Sequence, residues 1–328
     1  IVSGVIGGIV VGFLSNSALS VTGPAAGLTA IVFSAITDLG GFDVFLVAVI
    51  LAGLMQIALG YLKAGSFSNY FPTSVIEGML AAIGIIIILK QIPHAFGHDV
   101  DNEGDFFFIE KSGHTTFDTL IESINFIHGG ALIIALLSLA ILIIWNKVPV
   151  LNNLKVIPGA LVVVVISILL NELFIQTGSS LAITTQNHLV NLPSISEISN
   201  GFAMPNFAAL TNEKVWIVAV TIAVVASIET LLCIEATDKL DPYKRFTNTN
   251  RELKAQGVGN LVSGLLGGLP MTSVVVRSSA NINSGGKTKL ATIFHGFLLI
   301  LFALSIPFIL NKIPLSALAA VLLMVGYK

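Results

Sequence analysis

PMTSVVVRSSANINSGG, residues 270 to 286, lies between two long apolar runs and carries one arginine, Arg277, where the neighbouring residues read as buried. A helix crossing a hydrocarbon core about 30 Å thick needs about 20 apolar residues in a row. This stretch is broken by Pro270, Gly285, Gly286 and several polar side chains, and residues 18 to 37 are interrupted in the same manner. In lipid every backbone N–H and C=O needs a partner, so interrupted segments survive only where protein encloses them or where they line a cavity.

The rest of the chain supplies the enclosing protein. Hydrophobic residues make up 55% and charged residues only 10% of 328, with a mean hydropathy of +0.93, far from a soluble domain's balance. The chain reads as an all-α polytopic membrane protein. Full spans are expected near 43 to 64, 74 to 92, 127 to 146, 155 to 174, 213 to 236, 288 to 310 and 314 to 326, the last incomplete. Residues 1 to 14 read as a clipped span without a signal-peptide pattern, and 253 to 268 as short and glycine-rich. A net charge of −2 excludes nucleic acid as a partner, and one cysteine, Cys233, excludes a disulfide framework. No nucleophile elbow, Walker loop or HExxH is present, so an enzyme is not expected.

Loop charge orients the spans. Residues 98 to 125 hold Asp99, Asp101, Glu103, Asp105, Glu110, Asp118 and Glu122 against Lys111, whereas 237 to 254 hold Lys239, Lys244, Arg245, Arg251 and Lys254. By the positive-inside tendency the first loop is external and the second cytoplasmic. Lys63, Lys147 and Lys155 agree, and Lys312 does not.

The two interrupted runs also resemble each other. At an offset of 253, Gly4-Val5 falls on Gly257-Val258, Ser20-Val21 on Ser273-Val274, and Pro24 on Arg277; FPTSVIEGMLAAIG (71 to 84) likewise matches IPLSALAAVLLMVG (313 to 326). The charge-derived topology runs the two interrupted segments in opposite directions, as an inverted repeat requires. ALSV (18 to 21) and TSVVV (272 to 276) read as short strands, each leading into a half-helix that starts near Gly23-Pro24 or Arg277-Ser278. Proline is favoured at a helix start because its missing N–H would be unpaired there anyway. Two opposed half-helix N-termini make a mid-membrane spot attractive to an anion.

Arg277 costs about 2.5 to 3.5 kcal/mol or more at a helix centre, so it is expected to face a cavity or a partner. It either pairs with an intramembrane acid or holds a substrate anion. Glu229, in VVASIETLLCIEATDKL, is the clearest intramembrane acid, and such a carboxylate is paired with Arg277, protonated, or bound to a coupling cation. Cys233 shares its face one turn on and reads as a small core thiol. Glu235 and Asp238 read as interfacial, and Glu77 and Lys90 as snorkelling side chains. His94 and His98, at i,i+4 spacing with Asp99 following, have a metal-like spacing, but beside Pro93 and the acidic loop no metal is expected. His295 reads as an interhelical hydrogen-bonding residue.

TNRELKAQGVGNLVSGLLGGLPMTSVVVRSSANINSGGKT (249 to 288) closely resembles the signature of the SulP/SLC26 anion transporters, in which N-R-E-L-x-A-Q-G leads to G-G-x-P and a following arginine. LSVTGPAAG (19 to 27), FPTSVIEGMLAAIGIIIILKQIP (71 to 93) and the acid of IET (228 to 230) are similar to other parts of that family. The resemblance implies a seven-plus-seven transmembrane inverted repeat of the SLC26 and UraA type, with two short β-strands leading into half-helices. This chain would cover segments 2 to about 12. It implies a core domain (1–66 and 177–311) that moves like an elevator against a gate domain (67–176, with the external acidic loop, and 312–328), with no STAS domain in this chain.

Carried over residue by residue, the resemblance places a small inorganic anion, bicarbonate or sulfate, between Gly23, Pro24, Ala25 and Ala26 on one side and Val276, Arg277 and Ser278 on the other. Glu229 would be the coupling carboxylate, with Thr272 and Ser273 as oxygen donors. Cys233 stands where sodium-coupled members carry a hydroxyl residue, and a thiol is a poor ligand for a hard cation. Sodium or proton coupling therefore both remain open, with no other cofactor. A multi-pass homodimer in the plasma or inner membrane is implied. A nucleobase permease of the same fold, which Arg277 disfavours, and a channel-like or voltage-responsive anion-binding protein are the alternative readings.

Overall fold

The computed structural model describes residues 1–24, 26–99, 115–148, 158–192 and 203–327. Asp101, Glu103, Asp105, Glu110, Lys111 and Lys155, which helped to set the expected orientation, lie outside them, as does Ala25 of the expected anion site.

The apolar runs form helices, as chains with few internal polar partners must at membrane depth. In order, the elements are α1 (Val2–Leu14), β1 (Thr22–Pro24), α2 (Thr29–Leu39), α3 (Phe42–Tyr61), α4 (Thr73–Phe96), α5 (Thr116–Asn125), α6 (Gly129–Lys147) and α7 (Gly159–Gln176). There follow α8 (Glu213–Leu240), α9 (Thr249–Leu265), β2 (Met271–Ser273), α10 (Val275–Asn283), α11 (Leu290–Ser305), α12 (Pro307–Leu310) and α13 (Leu315–Tyr327). Among the described residues, α3, α4, α6, α7 and α8 are long and apolar enough to cross a membrane. The expected span at 288 to 310 is instead divided at Ile306, because Pro307 cannot donate to the turn before it and biases its predecessor away from helix.

The chain divides into two compact units, residues 1–80 with 194–305 and residues 81–193 with 306–328. In the first, α3 is the central post. Phe45, Leu46, Val47, Ala48 and Val49 are buried in succession, which only a helix surrounded by others permits. Val215, Ala219, Ile222 and Ala223 of α8 pack on one side of it. On another side α9 approaches so closely that a Cβ on Gly53 would stand 2.6 Å from the Gly257 carbonyl oxygen, and one on Gly257 2.6 Å from that of Gly53. Small residues at such a crossing let two helix backbones touch, which gives packing between helices that the hydrophobic effect does not drive in lipid. In the second unit, Ile134 and Leu142 of α6, Val163 of α7 and Ala317 of α13 share a core with Ile183. The Lys312–Glu172 ion pair lies at 2.6 Å within that unit.

The interrupted runs meet. β1 and β2 pair antiparallel, with Thr22 opposite Ser273, Gly23 opposite Thr272 and Pro24 opposite Met271. β1 lies later than the expected strand at 18 to 21. Hydroxyls hold that earlier stretch in turns: the Ser17 N–H donates to Ser15 Oγ and the Ser20 N–H to Ser17 Oγ, the local competition with pairing that serine favours. The second strand is Met271–Ser273 rather than 272 to 276, because the helix begins already at Val275. Lys90 departs from its snorkelling reading as well: it is 6% exposed and engaged, so its head stays inside the protein.

Candidate functional site

A polar line along α9 positions the strand crossing. Glu252, Gln256, Asn260 and Ser263 are completely buried, and their spacing of four, four and three puts them on one helical face. Asn260 pairs with the Met271 backbone in both directions: Met271 N–H donates to Oδ1 at 2.6 Å, and Nδ2 donates to the Met271 carbonyl at 3.1 Å. The same Nδ2 reaches Gln56 Oε1 on α3 at 2.7 Å. Gln256 Nε2 donates to Thr22 Oγ1 at 2.7 Å, to Glu252 Oε1 at 3.0 Å and to Ser273 Oγ at 3.3 Å, touching both strands. Ser15 Oγ closes the line on Glu252 Oε2. Buried polar groups are costly unless paired, so this line fixes where β1 and β2 cross.

From that crossing the chain turns into two helix starts. After β1 a 3-10 turn, Ala26–Leu28, leads into α2; after β2 only Val274 intervenes before α10. The two arms are stitched directly. Ser20 and Ser273 share a hydroxyl–hydroxyl bond of 2.9 Å, Val274 N–H donates to the Val21 carbonyl at 3.0 Å, and Asn281 Nδ2 donates to the Leu19 carbonyl at 2.9 Å. Thr292 Oγ1 on α11 donates to the Ser20 carbonyl at 3.0 Å.

Arg277 lies in the first turn of α10 and leans over the opposite arm. A Cβ on Gly23 would stand 2.4 Å from its Nη1, so any side chain there would make the guanidinium shift. Arg277 lines a cavity of about 540 Å³ together with Pro24, Asn281 and His295. Glu229 faces the other helix start: a Cβ on Gly27 would lie 3.1 to 3.3 Å from its carboxylate. Among the described residues no ion pair joins Arg277 to Glu229. The cation and the acid thus face two different places on the first arm, Arg277 at Gly23 and Glu229 at Gly27.

The remaining sequence-selected residues divide. Ser278 is completely buried; its Oγ accepts the Val21 N–H at 3.0 Å and donates to the Val274 carbonyl at 2.8 Å, so it holds the arms together. Ser273 is likewise committed, to Ser20 and Gln256. Thr272 is different. Its hydroxyl is buried beside the Glu229 carboxylate, and Thr230 Oγ1 and Gln256 Oε1 are buried without a hydrogen-bond partner. Buried oxygens without donors suit a hard cation or an ordered water. Cys233 is buried at 5% exposure. Val276 and Ala26 are present at the two starts, within α10 and the 3-10 turn.

Two further groups are absent from the sequence-selected residues. The α9 line was readable as a signature but not as a strand clamp. In the second unit, Asp99 accepts from Nδ1 of both His94 and His188, the latter at 2.5 Å, and nothing local links residue 188 to residue 94. Among the described residues no group of three or more histidine, cysteine or acidic side chains is placed to hold a metal ion. On the basic side, Arg245 holds the Asp241 carboxyl below the usual carboxylate range through a 2.7 Å bond from Nε, and Asp241 raises Arg245 in turn.

A family model described as the sulfate permease family matches residues 1–328. The chain is 26% identical to the putative sulfate transporter YvdB of Bacillus subtilis over 99% of its own length and 57% of that protein's. It is 29% identical to the bicarbonate transporter BicA of Picosynechococcus over 89% of its length and 48% of that protein's. It therefore spans about half the length of these curated relatives. The solved transmembrane domain of a cyanobacterial bicarbonate transporter BicA superimposes with a TM-score of 0.68 at 25% identity, covering 99% of this chain and 80% of that one.

Proposed function

The chain belongs to the sulfate permease family, and from that premise we propose that it handles the anion in a secondary active transporter for a small inorganic oxyanion, bicarbonate or sulfate. The observation that carries this reading is the guanidinium of Arg277, set in the first turn of one half-helix, laid over Gly23 of the other arm, and opening on a cavity. A fixed cation beside two helix starts, whose free N–H groups and dipoles favour negative charge, selects an anion over a neutral planar base. The names of the relatives, one a putative sulfate transporter and one a bicarbonate transporter, support the substrate class.

In this reading the anion lies between Gly23, Pro24, Ala25 and Ala26 and Val276 and Arg277. Ser278 and Ser273 hold the arms rather than the ligand, as their committed hydroxyls suggest. Glu229, with the buried Thr272 hydroxyl beside it, receives the coupling ion, a proton or sodium. Alternating access follows an elevator motion of residues 1–66 and 177–311 against 67–176 and 312–328, in an inverted seven-plus-seven arrangement and a homodimer of the cell membrane. The test is uptake of labelled bicarbonate and of labelled sulfate into liposomes carrying the full-length protein. Concentrative uptake of one, competed by its unlabelled form and driven by a sodium or pH gradient, is expected. Uptake of neither, or of a nucleobase instead, overturns the proposal.

A further inference from the structure

The external side carries a helix that belongs to no span. Helix α5 begins with a capping box: Thr115 N–H and Oγ1 both donate to Asp118 Oδ2, at 2.8 and 2.7 Å, and Asp118 N–H donates back to Thr115 Oγ1. At 3.6 residues per turn its side chains fall into three sectors, each about a third of the circumference. Thr116, Thr119 and Ser123 form a buried, hydroxyl-bearing face. Asp118, Glu122 and Asn125 form a polar face. Phe117, Ile121 and Ile124 form a third face, apolar and 54 to 64% exposed.

An amphipathic helix in water turns its apolar face inward and its hydroxyls outward. Here the hydroxyl face is the buried one and the isoleucines face out, which is the arrangement of a helix with protein on one side, water above and an apolar medium below. The chain says which medium. Only Phe126, Ile127 and His128 separate α5 from the membrane-spanning α6, so the end of α5 lies within about 14 Å of the end of a span. The interfacial zone on each side of the hydrocarbon core is itself about 5 to 8 Å deep. Phe126 and Ile127 in the link are exposed as well, which continues the apolar face down to the span, at the level where aromatic side chains collect.

We infer that α5 is an in-plane membrane anchor, lying in the outer interface with Ile121 and Ile124 among the upper acyl chains. Its partner is the bilayer itself.

The experiment uses the full-length protein in liposomes, with a small environment-sensitive fluorophore on Ile121→Cys, Ile124→Cys or, as the water-facing control, Asp118→Cys. The unsubstituted chain, whose Cys233 is buried, serves as the labelling blank. Lipids brominated near the headgroup should quench the fluorophore at 121 and 124 several-fold more than at 118, while aqueous iodide shows the reverse order. Equal lipid quenching at 118 and 121 overturns the anchor. Shelter of 121 from both quenchers, with cross-linking between two copies through that position, overturns it in favour of a protein contact.

Discussion

The two arms of the crossing use one backbone solution and opposite electrostatics. Each is a three-residue strand followed by a half-helix, and each is held by the other's hydroxyls and carbonyls. Yet the first arm carries no charge of its own at the crossing and borrows a carboxylate, Glu229, which faces Gly27. The second carries Arg277 and extends it over Gly23 of the first. Geometry is therefore shared between the arms, whereas charge is divided, and the glycines of the first arm exist where the charged groups need room. The lesson is that an arginine in an apolar run can be kept without a lasting acid if the opposite strand is small enough to receive it.

The sharpest way to break this comparison is Arg277→Ala. It removes the only charge that either arm brings to the crossing itself. Uptake should fall about 100-fold, near 3 kcal/mol, the scale of losing a charged hydrogen-bonding partner, while folding by thermal melting is retained. Arg277→Lys should recover part of that loss, since a lysine keeps the charge but not the planar fork. Gly23→Val attacks the same feature from the other side. Its added Cβ would displace the guanidinium, so transport should fall about as far as in Arg277→Ala if place as well as charge matters. Wild-type uptake in Gly23→Val would show that the arms are independent.

Glu229→Gln tests the carboxylate. Gradient-driven accumulation should drop about 10-fold, with substrate exchange largely kept, as expected when coupling rather than binding is lost. An equal loss of both would make the acid structural. Asn260→Ala leaves the Met271 backbone unsatisfied in both directions and should cost about 2 to 3 kcal/mol of stability, read as a lowered midpoint in detergent; it sharpens the comparison by loosening β2 alone. Asp241→Asn is the smallest change. Because Arg245 holds the Asp241 carboxyl below its ordinary value of 3.8, its stabilisation is present above that value and is lost as pH falls through the lowered one. The variant should melt slightly earlier at neutral pH, and the difference should shrink only below pH 3.8 and vanish once pH has fallen past the lowered Asp241 value.

Much of this was legible from residues alone. Uninterrupted apolar runs announce helices because lipid offers no other partner for the backbone, and Arg277 and Glu229 stand out because they are costly there. What failed did so for local or long-range reasons. The strand at 18 to 21 was misplaced because serine hydroxyls compete for the backbone, a choice that propensity does not weigh. Distance to the end of an apolar run reads Lys90 as snorkelling, but sequence position does not report how much protein lies between a side chain and water. Ser278 and Ser273 stand at the expected site by position, and only the folded arms show which partners their hydroxyls take. The α9 line was visible as Glu252, Gln256, Asn260 and Ser263 at helical spacing, a signal that periodicity in polar residues would have caught. His188 had no such signal.

The short ladder between Thr22–Pro24 and Met271–Ser273 has a mechanical consequence. Three paired residues, locked from behind by Gln256 and Asn260, behave as a rivet through two pieces of the chain. Jaws cannot open at a rivet: spreading the arms would expose backbone donors that nothing at that depth can satisfy. Any displacement of this part of the molecule must take both arms along as a single solid, with the gap between them unchanged.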